Sequence, residues 1–124
     1  MLLELPQRDL GGTLPEWDDL VAQVGWATAS GAATHLDGAR LWEAAAGYGR
    51  PPAEIAALFD TVYVSFYKGI GALPGCCVAG SATDVSQVRE WRRRLGGTLY
   101  ALWPGAASAL ALLNERMAEM PGRM

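Results

Sequence analysis

The sequence predicts an α/β fold, a mostly parallel sheet with one antiparallel strand and flanking helices, on three observations. Helical and extended patterns alternate along 124 residues, a length that suits one domain. The run Thr61-Val62-Tyr63-Val64-Ser65-Phe66 is dense in β-branched and aromatic residues, which pack well on a pleated sheet. A second apolar run, Cys76-Cys77-Val78-Ala79-Gly80, follows a glycine-rich loop with no room for a crossover helix, so it is expected antiparallel to its predecessor.

The remaining elements follow in order. Thr13-Leu14-Pro15-Glu16 has the form of a capping box with Pro in the first turn, and Trp17, Leu20, Val21 and Val24 then recur at helical spacing. Gly31 is the expected stop. Residues 32–37 form a short extended run closed by Gly38, which is expected to allow a tight turn, and residues 40–46 read as a helix. Pro51-Pro52-Ala53-Glu54 opens a helical segment through Leu58, ahead of the strand at 61–66. Ser81-Ala82-Thr83-Asp84 is a cap for a helix with Val85, Val88 and Leu95 on its apolar side, and a last helix is expected over 106–120. No sheet edge is evident at either end of the chain, and the strands would leave apolar faces uncovered, so a part of a larger domain is expected.

Composition narrows the function. Ten basic against thirteen acidic residues give a net charge of -3, so no basic field exists for nucleic acid or an anionic membrane, and neither partner is expected. Cys76 and Cys77 are adjacent and cannot staple distant segments, which predicts a reducing, cytoplasmic setting. The opening residues carry no export signal. The uncharged run 95–114 is broken by Gly96, Gly97, Pro104 and Gly105, leaving a buried helix of Ala and Leu too short to span a bilayer. The five tryptophans are read as core or subunit-contact residues.

Two features carry chemistry. Lys68 is the single lysine, it follows the strongest strand, and Phe66, Tyr67 and Ile70 surround it. Apolar surroundings favour the uncharged amine that attacks a carbonyl, which makes Lys68 a candidate nucleophile, although a solvated lysine is the bland alternative. His35-Leu36-Asp37-Gly38-Ala39-Arg40 ends the preceding strand, and His35 and Asp37, two apart, project from one face. With a right-handed crossover, Asp37 and Lys68 emerge at the carboxyl ends of neighbouring parallel strands, where open α/β sheets bind ligands. Pyridoxal phosphate needs such a pair: an amine that binds its aldehyde and a carboxylate that keeps its ring nitrogen protonated. A structural ion pair of Asp37 with Arg40 or Lys68 is the competing reading.

Residues 35–44, the run Asp60-Thr61-Val62-Tyr63-Val64-Ser65-Phe66-Tyr67-Lys68-Gly69-Ile70-Gly71-Ala72, and Arg93-Arg94-Leu95-Gly96-Gly97 closely resemble the threonine aldolase and β-eliminating lyase family. Glu4-Leu5-Pro6 with Gly11-Gly12 is similar to that family's segment before the same helix. The resemblance implies the large domain of a fold type I pyridoxal phosphate enzyme, with Lys68 attaching the cofactor, Asp37 pairing with its ring nitrogen and Arg40 beside its hydroxyl and the substrate. His35 and Ser65 are further cofactor-contact candidates. It also implies a small amino-acid substrate, Cα–Cβ cleavage of a β-hydroxy amino acid to glycine and an aldehyde, and assembly into homo-oligomers. By the family pattern residues 1–124 are the C-terminal part of the large domain, with the phosphate cradle and a ring-stacking histidine before residue 1 and a small domain after Met124. Tyr67 stands where a serine is frequent, and Thr98-Leu99-Tyr100-Ala101 departs from the family's glycine, Met-Arg-Gln continuation.

Other readings stay open at this level. They are β-elimination, a truncated remnant acting as an interaction module, a thiol or metal site built from His35, Asp37, Cys76 and Cys77, and a basic patch over 89–94. The bland readings of the last two are a pair of small buried cysteines and a solvated helix end with cations in its last turn.

Overall fold

The computed structural model describes residues 1–122. Its elements are β1 (Leu2–Glu4), α1 (Trp17–Ala29), β2 (His35–Gly38), α2 (Leu41–Tyr48), α3 (Pro52–Ala56), β3 (Thr61–Ser65), β4 (Cys76–Gly80), α4 (Ala82–Arg94) and α5 (Trp103–Glu119), with 3-10 turns at Arg8–Leu10 and Met120–Gly122. The four strands lie in the order β1-β2-β3-β4. The first two pairings are parallel and β3 with β4 is antiparallel, as the short glycine-rich loop requires.

The core covers one face of this sheet. Leu36, Val62 and Val64 project onto Leu20 and Val24 of α1, Leu41 and Ala44 of α2, Ile55 of α3 and Phe59, all buried. Burying each of the larger side chains contributes on the order of 1.5–3 kcal/mol. Period-2 alternation puts His35, Asp37, Thr61 and Tyr63 on the opposite face, half-buried. A second cluster joins Ile70 and Ala72, from the loop after β3, to Ala109 of α5 and to Met120. Phe66 packs against both clusters and stacks on Trp42 at 6.1 Å between ring centroids.

Several local expectations change. β1 supplies a sheet edge that the sequence reading missed, its pairing with β2 running from Leu2 opposite His35 to Glu4 opposite Asp37. Thr13 does not cap α1. Glu16 stands at the N-cap without a side-chain cap bond, Asp18 and Asp19 provide the negative charge of the first turn, and the Thr13 carbonyl accepts from the Gln7 N–H instead. The C-terminus of α1 behaves as expected: Gly31 takes φ +74° and the Ala32 N–H returns to Ala27. α5 starts at Trp103, a turn earlier than expected, because Pro104 sits in the first turn where its missing N–H costs no bond. Nor is α5 a buried helix. Only Ala109 is buried along it, while Trp103 and Leu110 are exposed, so uncharged composition does not make this helix a core element. Among the described residues no helix is long and apolar enough to cross a membrane.

The starts of β2 and β3 are bolted together. Buried Thr34 donates its N–H (2.7 Å) and its hydroxyl (2.9 Å) to Asp60 Oδ2, and the Asp60 N–H donates back to Thr34 Oγ1. The backbone bond from Thr34, then the hydroxyl bond, hold the Asp60 carboxyl below its ordinary 3.8. A carboxyl lowered in the folded state contributes stability that is present above its unfolded value and lost as pH falls through the lowered folded value. Urea unfolding followed against pH is therefore expected to show a loss of stability below about pH 4 that is smaller in Asp60→Asn. An unchanged acid limb in the variant would remove Asp60 from that account.

Candidate active site

Asp37 and Lys68 come to the same end of the sheet. β2 and β3 are neighbours and parallel, with His35 opposite Thr61, Leu36 opposite Val62, Asp37 opposite Tyr63 and Gly38 opposite Val64. Asp37 is the third residue of β2, and its Oδ1 accepts the Ala39 N–H at 3.1 Å, an Asx-type turn that fixes the carboxylate as the chain leaves the sheet. Lys68 lies three residues beyond β3, in a loop closed by Ala72 N–H to Phe66 O and Gly71 N–H to Lys68 O, both 2.9 Å. Fully buried Ile70 anchors that loop onto α5.

The two segments interlock through their backbones. Ser65 is fully buried, and its hydroxyl donates to Ala39 O at 2.7 Å. Trp42 Nε1 donates to Ser65 O at 2.9 Å. The turn that carries Asp37 is thereby tied to the residue where β3 ends, three positions before Lys68. Ser65 thus locks the two strands together, its hydroxyl hydrogen committed to Ala39 O.

The ion pair of the competing reading, Asp37 with Arg40 or Lys68, is absent among the described residues. Arg40 faces Glu4 at 3.8 Å, both about three-tenths exposed, and Glu4 stands beside Asp37 in the β1–β2 register. The half-buried Lys68 places its amine 5.9 Å from the centre of the Tyr67 ring and has no ion pair with a described carboxylate. His35 Nδ1 pairs with Thr61 Oγ1 at 2.8 Å, one pleat back from Asp37 on the same face. Tyr63, which the sequence reading did not single out, is the β3 neighbour of Asp37. Burial first, then hydrogen bonds with Tyr67 and Cys76, push its phenol well above the ordinary tyrosine value, so it stays a protonated donor. Alternation along 61–65 puts Tyr63 on that face, but only the strand register sets it beside Asp37.

The cysteine and arginine alternatives fare differently. Cys76 and Cys77 are both free and exposed, which corrects the expectation of buried residues. They sit on β4, the last strand in the sheet order, and line a small cavity with Gly105 and Ala106 of α5. Partial burial, then the neighbouring Cys76, hold the Cys77 thiol above its ordinary value, which disfavours a nucleophilic thiolate. No cluster of metal-ligating side chains occurs among the described residues. Arg93 and Arg94 pair with Glu90 on the exposed last turns of α4, as a solvated helix end does.

Comparison with known proteins then decides the family. The family model described as beta-eliminating lyase matches residues 1–121. The chain belongs to the beta-eliminating lyase family. It is 41% identical over 97 residues to aldolase vrtJ of Penicillium aethiopicum, covering 78% of this chain and 24% of that protein. It is 35% identical over 120 residues to an Arabidopsis thaliana protein described as a low-specificity L-threonine aldolase, covering 95% and 33%. A crystal structure described as an L-allo-threonine aldolase from Listeria monocytogenes superposes with a TM-score of 0.93 at 45% identity, covering 98% of this chain and 34% of that one. The chain thus spans a quarter to a third of the length of these relatives.

The mixed four-stranded arrangement is the beta-eliminating lyase fold over this span, and the Asp37 and Lys68 segments meet at a junction tied by Ser65 and Trp42. Gly38 shows how tight that junction is. Its φ is not positive, so it is not there for an unusual turn, which corrects the sequence reading; a Cβ at this position would lie 2.7 Å from the Tyr63 carbonyl oxygen. Gly38→Ala is expected to destabilise the chain by about 1–3 kcal/mol by forcing β2 and β3 apart. Gly25→Ala, on an open side of α1 with nothing within 4 Å, is expected to stabilise by roughly 0.5–1 kcal/mol. Urea midpoints of both variants check this, and equal midpoints would contradict it.

Proposed function

We propose that this chain supplies the amine- and carboxylate-bearing part of a pyridoxal phosphate-dependent lyase, the C-terminal part of its large domain. The enzyme built on it cleaves the Cα–Cβ bond of β-hydroxy amino acids, converting threonine to glycine and acetaldehyde. The observation that carries this reading is a half-buried Lys68, without an ion pair among the described residues, and an anchored Asp37 at the same ends of adjacent parallel strands. Family membership and relatives described as aldolases support it.

The residues present fit the cofactor. When bound, pyridoxal phosphate supplies an electron-withdrawing ring that stabilises negative charge developing at Cα. The Lys68 amine would hold it covalently through the aldehyde. The Asp37 carboxylate, kept in place by the Ala39 N–H, would hold a proton on the ring nitrogen. Arg40, oriented by Glu4, stands one turn beyond Asp37 as a cation for a substrate carboxylate or the ring hydroxyl. Cα–Cβ cleavage leaves the bonding pair on Cα; the β-hydroxyl gives up a proton as the aldehyde departs and Cα takes one up to give glycine, so nothing is oxidised or reduced.

β-Elimination is the second reading, favoured by the family description and by the fact that the same lysine and carboxylate serve it. We extend the proposal to self-association, since Trp26, Trp103 and Leu110 expose large apolar side chains of the kind that assemblies cover. A reducing, cytoplasmic setting would preserve the free Cys76 and Cys77.

The test begins with cofactor uptake. Mixing the chain with pyridoxal phosphate is expected to give a near-visible absorption band that Lys68→Ala lacks. Borohydride is expected to fix the cofactor on the peptide containing Lys68, the sequence's single lysine. Asp37→Asn is expected to keep attachment and to lower any aldehyde release from threonine by about 100-fold or more, because the ring proton loses its anchor. Attachment at the N-terminus alone would sink the proposal. Pyruvate from serine without aldehyde from threonine would favour elimination.

A further inference from the structure

The lyase reading leaves one group beside Lys68 unexplained, the carboxylate of Glu43. Glu43 lies in the first turn of α2, where its charge suits the helix dipole. The dipole does not explain where the carboxylate points. Its Oε2 is buried and has no hydrogen-bond partner among the described residues, a costly state for a carboxylate oxygen that could reach solvent by changing rotamer. Instead the carboxyl group lies against the residue that follows Lys68. A Cβ placed on Gly69 would stand 2.5 Å from Glu43 Oε1, 2.6 Å from its Cδ and 2.7 Å from its Oε2, so the flat carboxyl group covers the glycine face-on.

The backbone at Gly69 does not itself require glycine, because its φ is not in the left-handed region, whereas Gly71 two residues on does take φ +71°. What a side chain at 69 would meet is the Glu43 carboxyl group, the far end of a side chain that would have to swing away to admit it. The helix carrying Glu43 cannot easily yield, since the adjacent Trp42 is hydrogen-bonded to Ser65 O and stacked on Phe66. The far side of the loop is equally fixed, with Ile70 fully buried against α5.

We infer that Glu43 is a positioning residue for Lys68: its carboxyl group, wedged against Gly69, sets the loop that aims the lysine amine. It acts by occupying the space over Gly69, and a side chain at 69 would displace it. The assignment deepens the lyase reading and rests on it for its purpose, but the wedge itself is measurable without the cofactor.

The single lysine makes the test direct. Reductive methylation of the full chain with ¹³C-formaldehyde labels Lys68 and the N-terminus, and the Lys68 methyl resonance reports the setting of its amine. Glu43→Gln, equal in shape, is expected to keep the wild-type resonance, while Glu43→Ala shifts and sharpens it. Gly69→Ala is expected to lower the urea midpoint in the wild-type background and to lower it much less in Glu43→Ala, a coupling that a double-mutant cycle isolates. With pyridoxal phosphate, borohydride trapping on Lys68 is expected to need about 10-fold more cofactor in Glu43→Ala and to be restored in Glu43→Gln. Equal effects of Gly69→Ala in both backgrounds, or a Lys68 resonance that ignores Glu43→Ala, would overturn the inference. Should Gly69→Ala fail to fold, the Gln and Ala variants at 43 decide it through the Lys68 resonance alone. Coupling without cofactor uptake by the wild-type chain would uphold the wedge and defeat the lyase reading; uptake without coupling would do the reverse.

Discussion

The register of β2 against β3 is the constraint from which the rest of this structure follows. A slip of one residue would turn Leu36, Val62 and Val64 away from the helices and bring Asp37 and Tyr63 into the core, so the hydrophobic pattern alone penalises it heavily. Hydrogen bonds close the register at both ends. Thr34 and Asp60 exchange bonds where the strands begin, and Ser65, Ala39 and Trp42 do so where they end. Thr34, Ala39 and Ser65 are buried and Trp42 is half-buried, so an unmade bond there costs more than a made one contributes. Asp37 therefore has little freedom relative to the start of the Lys68 loop.

A second consequence concerns where rigidity lies. Lys68 is outside regular structure, yet the loop that carries it is not loosely held. Phe66 belongs to both apolar clusters, Ile70 is fully buried against α5, and Leu73 N–H reaches Ser108 Oγ at 3.1 Å. A nucleophile on a loop fastened on several sides keeps its aim while its amine stays accessible, which is the arrangement a covalent attachment point needs. The helices that do the fastening are α2, through Trp42 and Glu43, and α5, through Ala109 and its neighbours. The opposite face of the sheet holds the polar row of His35, Asp37, Thr61 and Tyr63 and is free of helices α1 to α3.

Much of this was legible in the residues. The strand at 61–65 and its antiparallel partner at 76–80 follow from β-branched composition and loop length, and the Ser81 cap of α4 and the Gly31 stop of α1 follow from local stereochemistry. Asp37 and Lys68 stood out as candidates because a carboxylate and a lone lysine each end an apolar strand. Other features were hidden for identifiable reasons. β1 is three residues long and takes its strand character from pairing with β2 rather than from its own pattern. The uncharged α5 looked like a core helix, but apolar composition does not say which face finds a partner. Ser65 looked like a ligand contact because a hydroxyl beside the lysine motif is chemically apt, and only the fold shows it bonded to Ala39.

What the sequence by itself determined is a set of local choices: most of the helices and strands, the glycine stop of α1, and the carboxylate and the amine that each end an apolar strand. These depend on neighbours within a few positions, so they are written in the order of the residues. The tertiary structure alone decided which distant groups meet. Tyr63 beside Asp37, Glu4 opposite Arg40, Ser65 locked to Ala39 and Glu43 laid on Gly69 are contacts between segments 26 to 36 residues apart. Such contacts are set by the strand register and by the helix packing that enforces it, and no local pattern encodes either.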